Sequence, residues 1–351
     1  MLGDTLSNLG GPIFVTGHTG FKGSWLNLLL SRLRIESFGY SLSAERNSLY
    51  ERAKLEEISK GNIGDIRDFE NLSRALRQVR PSVIIHLAAQ SLVLKSFEEP
   101  LETFQINCMG TANILKAAFE TNSVKAVLVI TSDKVYRNNE TGQQFMESDP
   151  LGGKDPYSAS KVAAESVSSA WQHISEISGG PKILVARAGN VIGGGDFGRN
   201  RLIPDIIKAV VSGKELVIRN PSATRPWQHV LDPLVGYLEY LEHFFQGYDC
   251  RPALNFGPQG QSLRVEKVLE IAKLHFDQKL QVRYAKNVVS IESSRLDLDS
   301  TAARQSLSWR PRWNQEESIH QTFAWWTKVL YENSVARTEC MDEIESSLNN
   351  L

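Results

Sequence analysis

Short β-branched runs alternate with helical stretches over the first two-thirds of the chain. Ile13–Thr16 is an apolar run of strand length, and Trp25–Arg34 after it has helical character. Ser37–Tyr40 reads as a second strand. The amphipathic stretch Glu70–Val79 is stopped by Arg80-Pro81. Val83–Leu87 then gives a third strand and Thr103–Glu120 a long helix. Val124–Thr131 gives a fourth strand, Pro156–Ser175 a long helix, and Ile183–Ala188 a fifth strand. This alternation predicts a parallel sheet covered by helices on both faces.

The pattern loosens after Val191. Gly193-Gly194-Gly195 marks a loop, and Leu202–Ser212 reads as a helix. Leu216–Arg219, Trp227–Val230 and Leu280–Tyr284 read as short, separated strands. We therefore expect a Rossmann-type doubly wound α/β fold with a smaller C-terminal α+β substrate-binding lobe. Residues 1–190 would form the dinucleotide-binding domain, its sheet completed by later segments. Residues 191–330 would form most of the interleaved lobe. The polar stretch 331–351 is expected to be a surface helix or a frayed tail.

Composition narrows the function classes. The 351 residues are 41% hydrophobic and 23% charged, which is ordinary globular usage. With 39 Lys and Arg against 40 Asp and Glu, the net charge is -1. A global basic field for nucleic acid or anionic lipid is absent. No apolar stretch is long enough to span a membrane. The opening MLGDTLSNLGGP lacks the basic and apolar regions of a signal peptide. Three cysteines (Cys108, Cys250, Cys340) stand far apart without a CxxC spacing, so neither a disulfide framework nor a metal site is expected. These features point to a cytoplasmic protein.

Two motifs carry chemistry. The first strand runs into Gly17-His18-Thr19-Gly20-Phe21-Lys22-Gly23, and a helix follows. In this GxxGxxG arrangement Gly17 permits a tight turn, Gly20 a close approach of backbone to pyrophosphate, and Gly23 packing of helix on strand. The helix N-terminus offers N–H groups to the phosphates. After the second strand, Ser41 stands where an acid ordinarily holds the adenosine ribose, with Arg46 nearby. That leaves NAD and NADP both open. Asp65 offers a carboxylate to the adenine amine; equally, Asp65 or Asp68 would be a helix N-cap. The second motif is Tyr157 and Lys161, four residues apart on one helix face. A nearby ammonium favours the phenolate, and the lysine can hold the nicotinamide ribose. Ser132, at the end of the fourth strand, completes a proton-transfer set for oxidising an alcohol beside nicotinamide.

The chain resembles the extended short-chain dehydrogenase/reductases of the nucleotide-sugar epimerase and dehydratase kind. The likeness is carried by GHTGFKGSW (17–25), GDIRD (64–68), HLAAQ (86–90), INCMGT (106–111), TSDKVY (131–136) and DPYSASK (155–161). It continues through RAGNVIGGGD (187–196), RLIPDI (201–206), RPWQHV (225–230) and NFGP (255–258). It spans roughly residues 11–330. HTGFKGSW, TSDK, RAGNVIGGGD and RPWQHV point to the branch that acts on CDP-glucose.

The resemblance implies an NAD-dependent hydro-lyase and assigns roles. Tyr157 would take the proton of the sugar 4-hydroxyl, assisted by Lys161, with Ser132 on the 4-oxygen. Asp133 would protonate the leaving 6-hydroxyl. Lys134 would be the C5 base, which requires it to be neutral at that step; its other reading is a structural salt bridge. The implied cofactor contacts are Gly17, Thr19, Gly20, Phe21, Lys22, Gly23, Ser41, Asp65, Ile66, Leu87, Ala88, Ala89, Asn107, Tyr157 and Lys161. Asn107 is expected to act by positioning the catalytic loop. The implied substrate contacts are Gln90, Ser132, Asn190, Arg199, Arg201, Leu202, Arg225 and His229. Arg225 is the leading candidate for the pyrophosphate. Arg199 reads equally as a surface charge, and Trp227 and His229 equally as core. His86 reads as structural. The likeness also implies a homodimer, or a tetramer built from it, through the two long helices. One departure stands out: Leu94 occupies the place of an arginine, with Lys95 one position later. A different nucleotide sugar, an epimerase, or a non-catalytic dinucleotide sensor are the rival readings.

Overall fold

In the computed structural model, described here over residues 2–140, 142–198, 200–285 and 296–349, seven parallel strands form the central sheet. They are β1 (Ile13–Thr16), β2 (Ser37–Ser41), β3 (Lys60–Ile63), β4 (Val83–His86), β5 (Ala126–Ile130), β6 (Lys182–Ala188) and β7 (Ala253–Phe256). Their order is β7-β6-β5-β4-β1-β2-β3. The chain winds outward from β1 to β3, crosses back to β4 beside β1, and winds outward the other way. Two halves of opposite progression meet between β1 and β4, where such folds place ligands at the strands' carboxyl ends.

The main helices are α1 (Phe21–Arg32), α2 (Phe69–Val79), α3 (Gly110–Phe119), α4 (Pro156–Ser178) and α5 (Leu202–Ser212), followed by α6 (Leu231–Phe245), α7 (Val265–Phe276), α8 (Gln315–Tyr331) and α9 (Ala336–Leu348). Alternating side chains of each strand serve opposite faces. Phe14, Ile84, Val127, Val129 and Ile183 pack with Leu72, Leu76, Ile114, Leu115, Val167 and Trp171, beneath α2, α3 and α4. Val15, Val83, Ile85, Leu128 and Leu184 pack with Trp25, Leu28, Leu234 and Tyr237, beneath α1 and α6. Burial on both faces explains why these strands read as nearly unbroken apolar runs.

Short strand pairs build the second lobe. Val191–Ile192 lies parallel to Gln228–His229, and Leu216–Ile218 parallel to Val282–Tyr284. Thr224–Arg225 runs antiparallel to Leu263–Arg264.

Three expectations need correction. Strand β3 is missing from the expected strands, because its residues are all exposed at the sheet edge and show no apolar run. Helix α1 begins at Phe21, four residues before Trp25, since Gly20 is already an extended N-cap. The long helix expected over 103–120 is interrupted by a π turn, Gln105–Met109, between Pro100–Phe104 and α3. Of the two readings of the C-terminal stretch the helix holds over Ala336–Leu348, and it packs inward: α9 buries Cys340 and Ile344 completely.

Candidate active site

The turn after β1 behaves as its glycines require. Gly17 has φ +75°, and a Cβ there would meet the Ala88 nitrogen at 2.8 Å. A Cβ on Gly23 would lie 2.2 Å from the Gly17 carbonyl oxygen, so only glycine lets α1 pack against the turn. A Cβ on Gly20 would touch only that same oxygen, at 3.3 Å, and the rest of its surroundings are open. Helix α1 starts without a side-chain cap or an acid in its first turn. Its first N–H groups are therefore left to an anion. This cradle fits the pyrophosphate of a dinucleotide such as NAD.

Around the turn, three candidates have different surroundings from those expected. Ser41 is buried, and its hydroxyl bonds His18 Nδ1 and Thr19 Oγ1, each at 2.9 Å, and the Leu42 carbonyl at 3.1 Å. Those partners hold it as a structural pin beside the turn. The sequence signal for the pin was Gly39 and Gly61, whose missing side chains make room for the His18 ring. Burial pushes that ring's pKa down to about 4. Lys22 runs inward, its Nζ 3.4 Å from Tyr237 Oη. Burial first, then the charges of Lys161 and Arg201, pull its pKa down to about 7, against the opposing pull of Asp133. Lys22 thus belongs to the catalytic cluster as well as to the phosphate turn. Asp65 is held by Arg67 through Nη2 at 2.6 Å and the backbone N–H at 2.8 Å, and Asp68, not Asp65, caps α2. Ile66 is buried and packs where Gly110 lacks a side chain.

Leu87, Ala88 and Ala89 leave β4 half-buried, with the Leu87 N–H bonding the Thr16 carbonyl and the Ala88 N–H bonding Thr16 Oγ1, each at 3.2 Å. His86 is clamped between Thr16 Oγ1 at 2.7 Å and Thr111 Oγ1 at 3.2 Å. Burial, with Lys161, pushes its pKa down to about 3, so it stays neutral. Asn107 sits in the π turn. Its amide accepts from the Gln90 N–H at 2.8 Å and donates to the Gln90 carbonyl at 3.0 Å and Ser160 Oγ at 2.9 Å. It joins the loop after β4 to α4. The Gln90 side chain is itself consumed by the Leu92 backbone and Thr103 Oγ1. These bonds make Gln90 a brace of the loop after β4.

The catalytic set assembles at the end of β5. Helix α4 starts at a capping box, Asp155 with Ser158, and Pro156 at its first position. The Tyr157 N–H is also held by Ser96 Oγ at 3.1 Å. Tyr157, Lys161, Ser132 and Asp133 are all buried. Lys161 Nζ donates to the Ile130 carbonyl at 2.9 Å. Ser132 Oγ donates to Asp133 Oδ1 at 2.9 Å, and Lys134 Nζ reaches the same oxygen at 3.4 Å. The Tyr157 pKa is raised by burial, and Lys134, a Ser132 hydrogen bond and Arg201 act to lower it. Lys134 leads the charges that favour the phenolate. Lys161 itself is pulled down to about 8 by burial, with Glu165 opposing.

The candidate substrate residues divide. Arg201 caps the start of α5 beside Leu202, with Nη1 3.2 Å from Asp196 Oδ2 and Nη2 3.1 Å from Ser91 Oγ. Asn190 is half-buried between β6 and Val191. Arg225 is half-buried and its Nη1 bonds the Thr224 carbonyl at 2.8 Å. Its neighbour Pro226 comes 3.7 Å from the Cβ position of Gly189, which itself abuts Asp133. Arg199 lies outside the described residues. His229 is fully buried, edge-on to Trp25 and Trp313, and 3.1 Å from Glu343 of α9. The structure places it in the core, one of the two readings left open for it. Trp227 is core too. Lys95, the cation of the altered loop, pairs with Glu99 at 3.3 Å and Glu102 at 3.6 Å. Among the described residues no group of three or more His, Cys, Asp or Glu side chains could hold a metal ion, and no helix is long and apolar enough to cross a membrane.

Comparison with known proteins agrees with this geometry. The profile of the family described as GDP-mannose 4,6 dehydratase matches residues 14–322. The chain belongs to this family. It is 40% identical, over 90% of each chain, to a CDP-glucose 4,6-dehydratase of Salmonella typhimurium. It is 27% identical to a dTDP-glucose 4,6-dehydratase of Neisseria gonorrhoeae, over 90% of this chain and 95% of the other. Among solved structures, a dTDP-glucose 4,6-dehydratase from Bacillus anthracis in complex with NAD superposes with TM-score 0.76 at 20% identity, covering 92% of this chain and 98% of that one.

Proposed function

We propose that the protein dehydrates CDP-glucose to CDP-4-keto-6-deoxyglucose, with NAD as a recycled cofactor. The supporting observation is the buried Asp133, bonded to Ser132 and Lys134, in the electrostatic reach of Tyr157. An epimerase needs a base and a hydride relay, but no acid for a 6-hydroxyl. The 40% identity to a CDP-glucose 4,6-dehydratase supports the same choice of reaction and base.

The chain's own residues divide the work. Gly17, Gly20 and the first turn of α1 would seat the pyrophosphate, and Asp65 and Ile66 would meet the adenine. NAD, when bound, supplies a hydride acceptor that becomes the donor at the end of the cycle. Tyr157 takes the proton of the 4-hydroxyl, and Ser132 orients that oxygen. Lys134 and Arg201 supply charge that favours the phenolate, and Lys161, one turn along α4, would assist and hold the nicotinamide ribose. The resulting ketone acidifies C5, whose proton goes to Lys134 Nζ once the Lys134–Asp133 pair has passed its own proton to the carboxyl. Asp133 gives its proton to the departing 6-hydroxyl, and water leaves. Asn190, Arg201 and Arg225 would bind the nucleotide diphosphate, and Lys22 adds positive charge beneath the same cleft. In this reading residues 1–190 serve the cofactor, and 191–330 mostly the substrate.

Exposed apolar residues support pairing of two copies. Phe97, Leu101, Phe104 and Met109 face outward before α3, and Ile174 and Ile177 on α4. We read them as the surface of a homodimer in a cytoplasmic enzyme; light scattering that finds a monomer at assay concentration refutes the pairing.

The test of the function is incubation with NAD and, separately, CDP-glucose, dTDP-glucose, UDP-glucose and GDP-mannose, followed by mass spectrometry. Loss of one water from CDP-glucose alone is expected. Loss from another nucleotide sugar replaces the substrate. No loss from any of them refutes dehydration.

A further inference from the structure

One turn beyond Lys161 on α4 stands Glu165, 6% exposed. Its Oε1 accepts from Thr131 Oγ1 at 2.6 Å and Arg187 Nε at 2.8 Å, and its Oε2 from Arg187 Nη2 at 2.6 Å. Lys161 donates to the Ile130 carbonyl at 2.9 Å. Ile130 and Thr131 are consecutive, and Ser132 is next. Two side chains on one helix face therefore fasten α4 to two successive residues of the strand end that opens the Ser132-Asp133-Lys134 turn. The far side of that turn is tied to the same guanidinium. Arg187 Nη1 donates to Tyr136 Oη at 2.8 Å and to the Glu147 carbonyl at 3.1 Å.

A buried ion pair contributes little net stability, because desolvation offsets most of the attraction. Its value lies in geometry and in the charge it keeps in place. We propose that Glu165 is a positioning residue for the Tyr157–Lys161 pair: with Arg187 and Thr131 it sets α4 against the Ser132-Asp133-Lys134 turn and keeps a negative charge one turn below the catalytic ammonium. The rate arm of the test below rests on the proposed dehydration; the titration arm does not.

The charged and titratable groups around Lys161 come from several elements. Tyr157 and Glu165 share its helix. His86 projects from β4 and Lys22 from α1. Arg187 of β6 pairs with Glu165, and Asp133, Lys134 and Arg201 act on the neighbouring Tyr157. Burial lowers the Lys161 pKa, and Glu165 raises it. Removing the Glu165 charge therefore makes the ammonium easier to deprotonate.

Two measurements decide. The Lys161 side-chain resonance, assigned by its loss in Lys161→Arg, can be titrated by NMR without substrate. In Glu165→Gln its midpoint is expected to fall by about one pH unit. An unchanged midpoint in folded Glu165→Gln protein overturns the proposal. If that variant does not fold, Thr131 decides. Thr131→Val removes only the hydroxyl bonded to Glu165, and Thr131→Ser keeps it. Thr131→Val is expected to lose about tenfold in kcat with KM nearly unchanged, while Thr131→Ser stays near wild type. Wild-type kcat in Thr131→Val, or an equal loss in both variants, overturns the proposal. If wild-type protein releases no water from any nucleotide sugar, the proposed function fails and the Lys161 titration alone judges Glu165.

Discussion

A Cβ added to Gly189 would stand 3.2 Å from Asp133 Oδ2, the carboxylate oxygen that neither Ser132 nor Lys134 engages. The glycine at the end of β6 thus leaves the space in which the candidate acid sits. Because Asp133 is buried and bonded on its other oxygen, it has little room to retreat.

Gly189→Ala is therefore expected to displace Asp133 by a few tenths of an ångström and to slow water loss about tenfold. Asp133→Asn removes the acid itself and should slow it about 100-fold or more. Gly189→Ala leaves the Lys134 contact in place, and in Asp133→Asn the amide oxygen can still accept from Lys134 Nζ, without the carboxylate's charge. Mass spectrometry in deuterated water would follow solvent exchange at C5 alongside loss of water. Exchange outpacing elimination in both variants is the expected result. Parallel decline of the two processes would remove Asp133 from the acid role.

Tyr157 is raised by burial and eased by Lys134, Ser132 and Arg201. Taking away Arg201 removes one of the charges favouring the phenolate, so ionisation needs a higher pH. Arg201→Gln should move the acidic limb of the kcat/KM profile to higher pH and raise KM. Ser91→Ala loses only the hydroxyl that Arg201 donates to. It should leave that limb where it is. A limb that stays fixed in Arg201→Gln would show that the guanidinium does not reach the phenol's charge.

Most of the sheet was legible because its strands are apolar on both faces, and the phosphate turn because three glycines follow the first strand. The Tyr157–Lys161 pair was legible from spacing, and Asp133 and Lys134 only through family likeness. What escaped has physical reasons. Strand β3 is polar and at the edge. The π turn at Asn107 depends on Gln90 and Ser160, which are distant in sequence. His229 lies in a motif shared with Arg225, yet a short strand turns it into the core between two tryptophans. The inward reach of Lys22 depends on Tyr237, more than 200 positions away.

That reach has a thermodynamic consequence. The Lys22 pKa is lowered in the folded protein to about 7 from an ordinary 10.5. Between those values the unfolded chain binds more protons, so stability rises with pH across this window. Below about pH 7 the charged ammonium is held in the fold at its full cost. Lys22→Met removes that cost. The variant should melt roughly 2–4 °C above wild type near pH 6. The gap should narrow as pH approaches 10. Scanning calorimetry at both ends of the range checks this, and a gap independent of pH would mean that Lys22 is not desolvated.

The C-terminal helix makes the last case. Ile344 and Cys340 of α9 have no exposed surface, and Ile344 belongs to the same core as Trp25 and Leu28 of α1. Polar contacts surround this seam. Arg32 of α1 pairs with Glu345, and Arg337 donates to the Ala53 carbonyl at 2.6 Å and to Glu57 at 2.9 Å. Both pairs are exposed enough that solvent screens them, so the buried apolar contact must dominate the docking. Ile344→Ala is then expected to destabilise the protein by about 2–4 kcal/mol. Glu345→Ala should change little. Urea denaturation would read the first as a lower midpoint at unchanged slope. An Ile344→Ala midpoint equal to wild type would mean that α9 is not part of the cooperative core. A loss confined to stability, with KM preserved, would mean that the helix braces α1 from behind without entering the cleft.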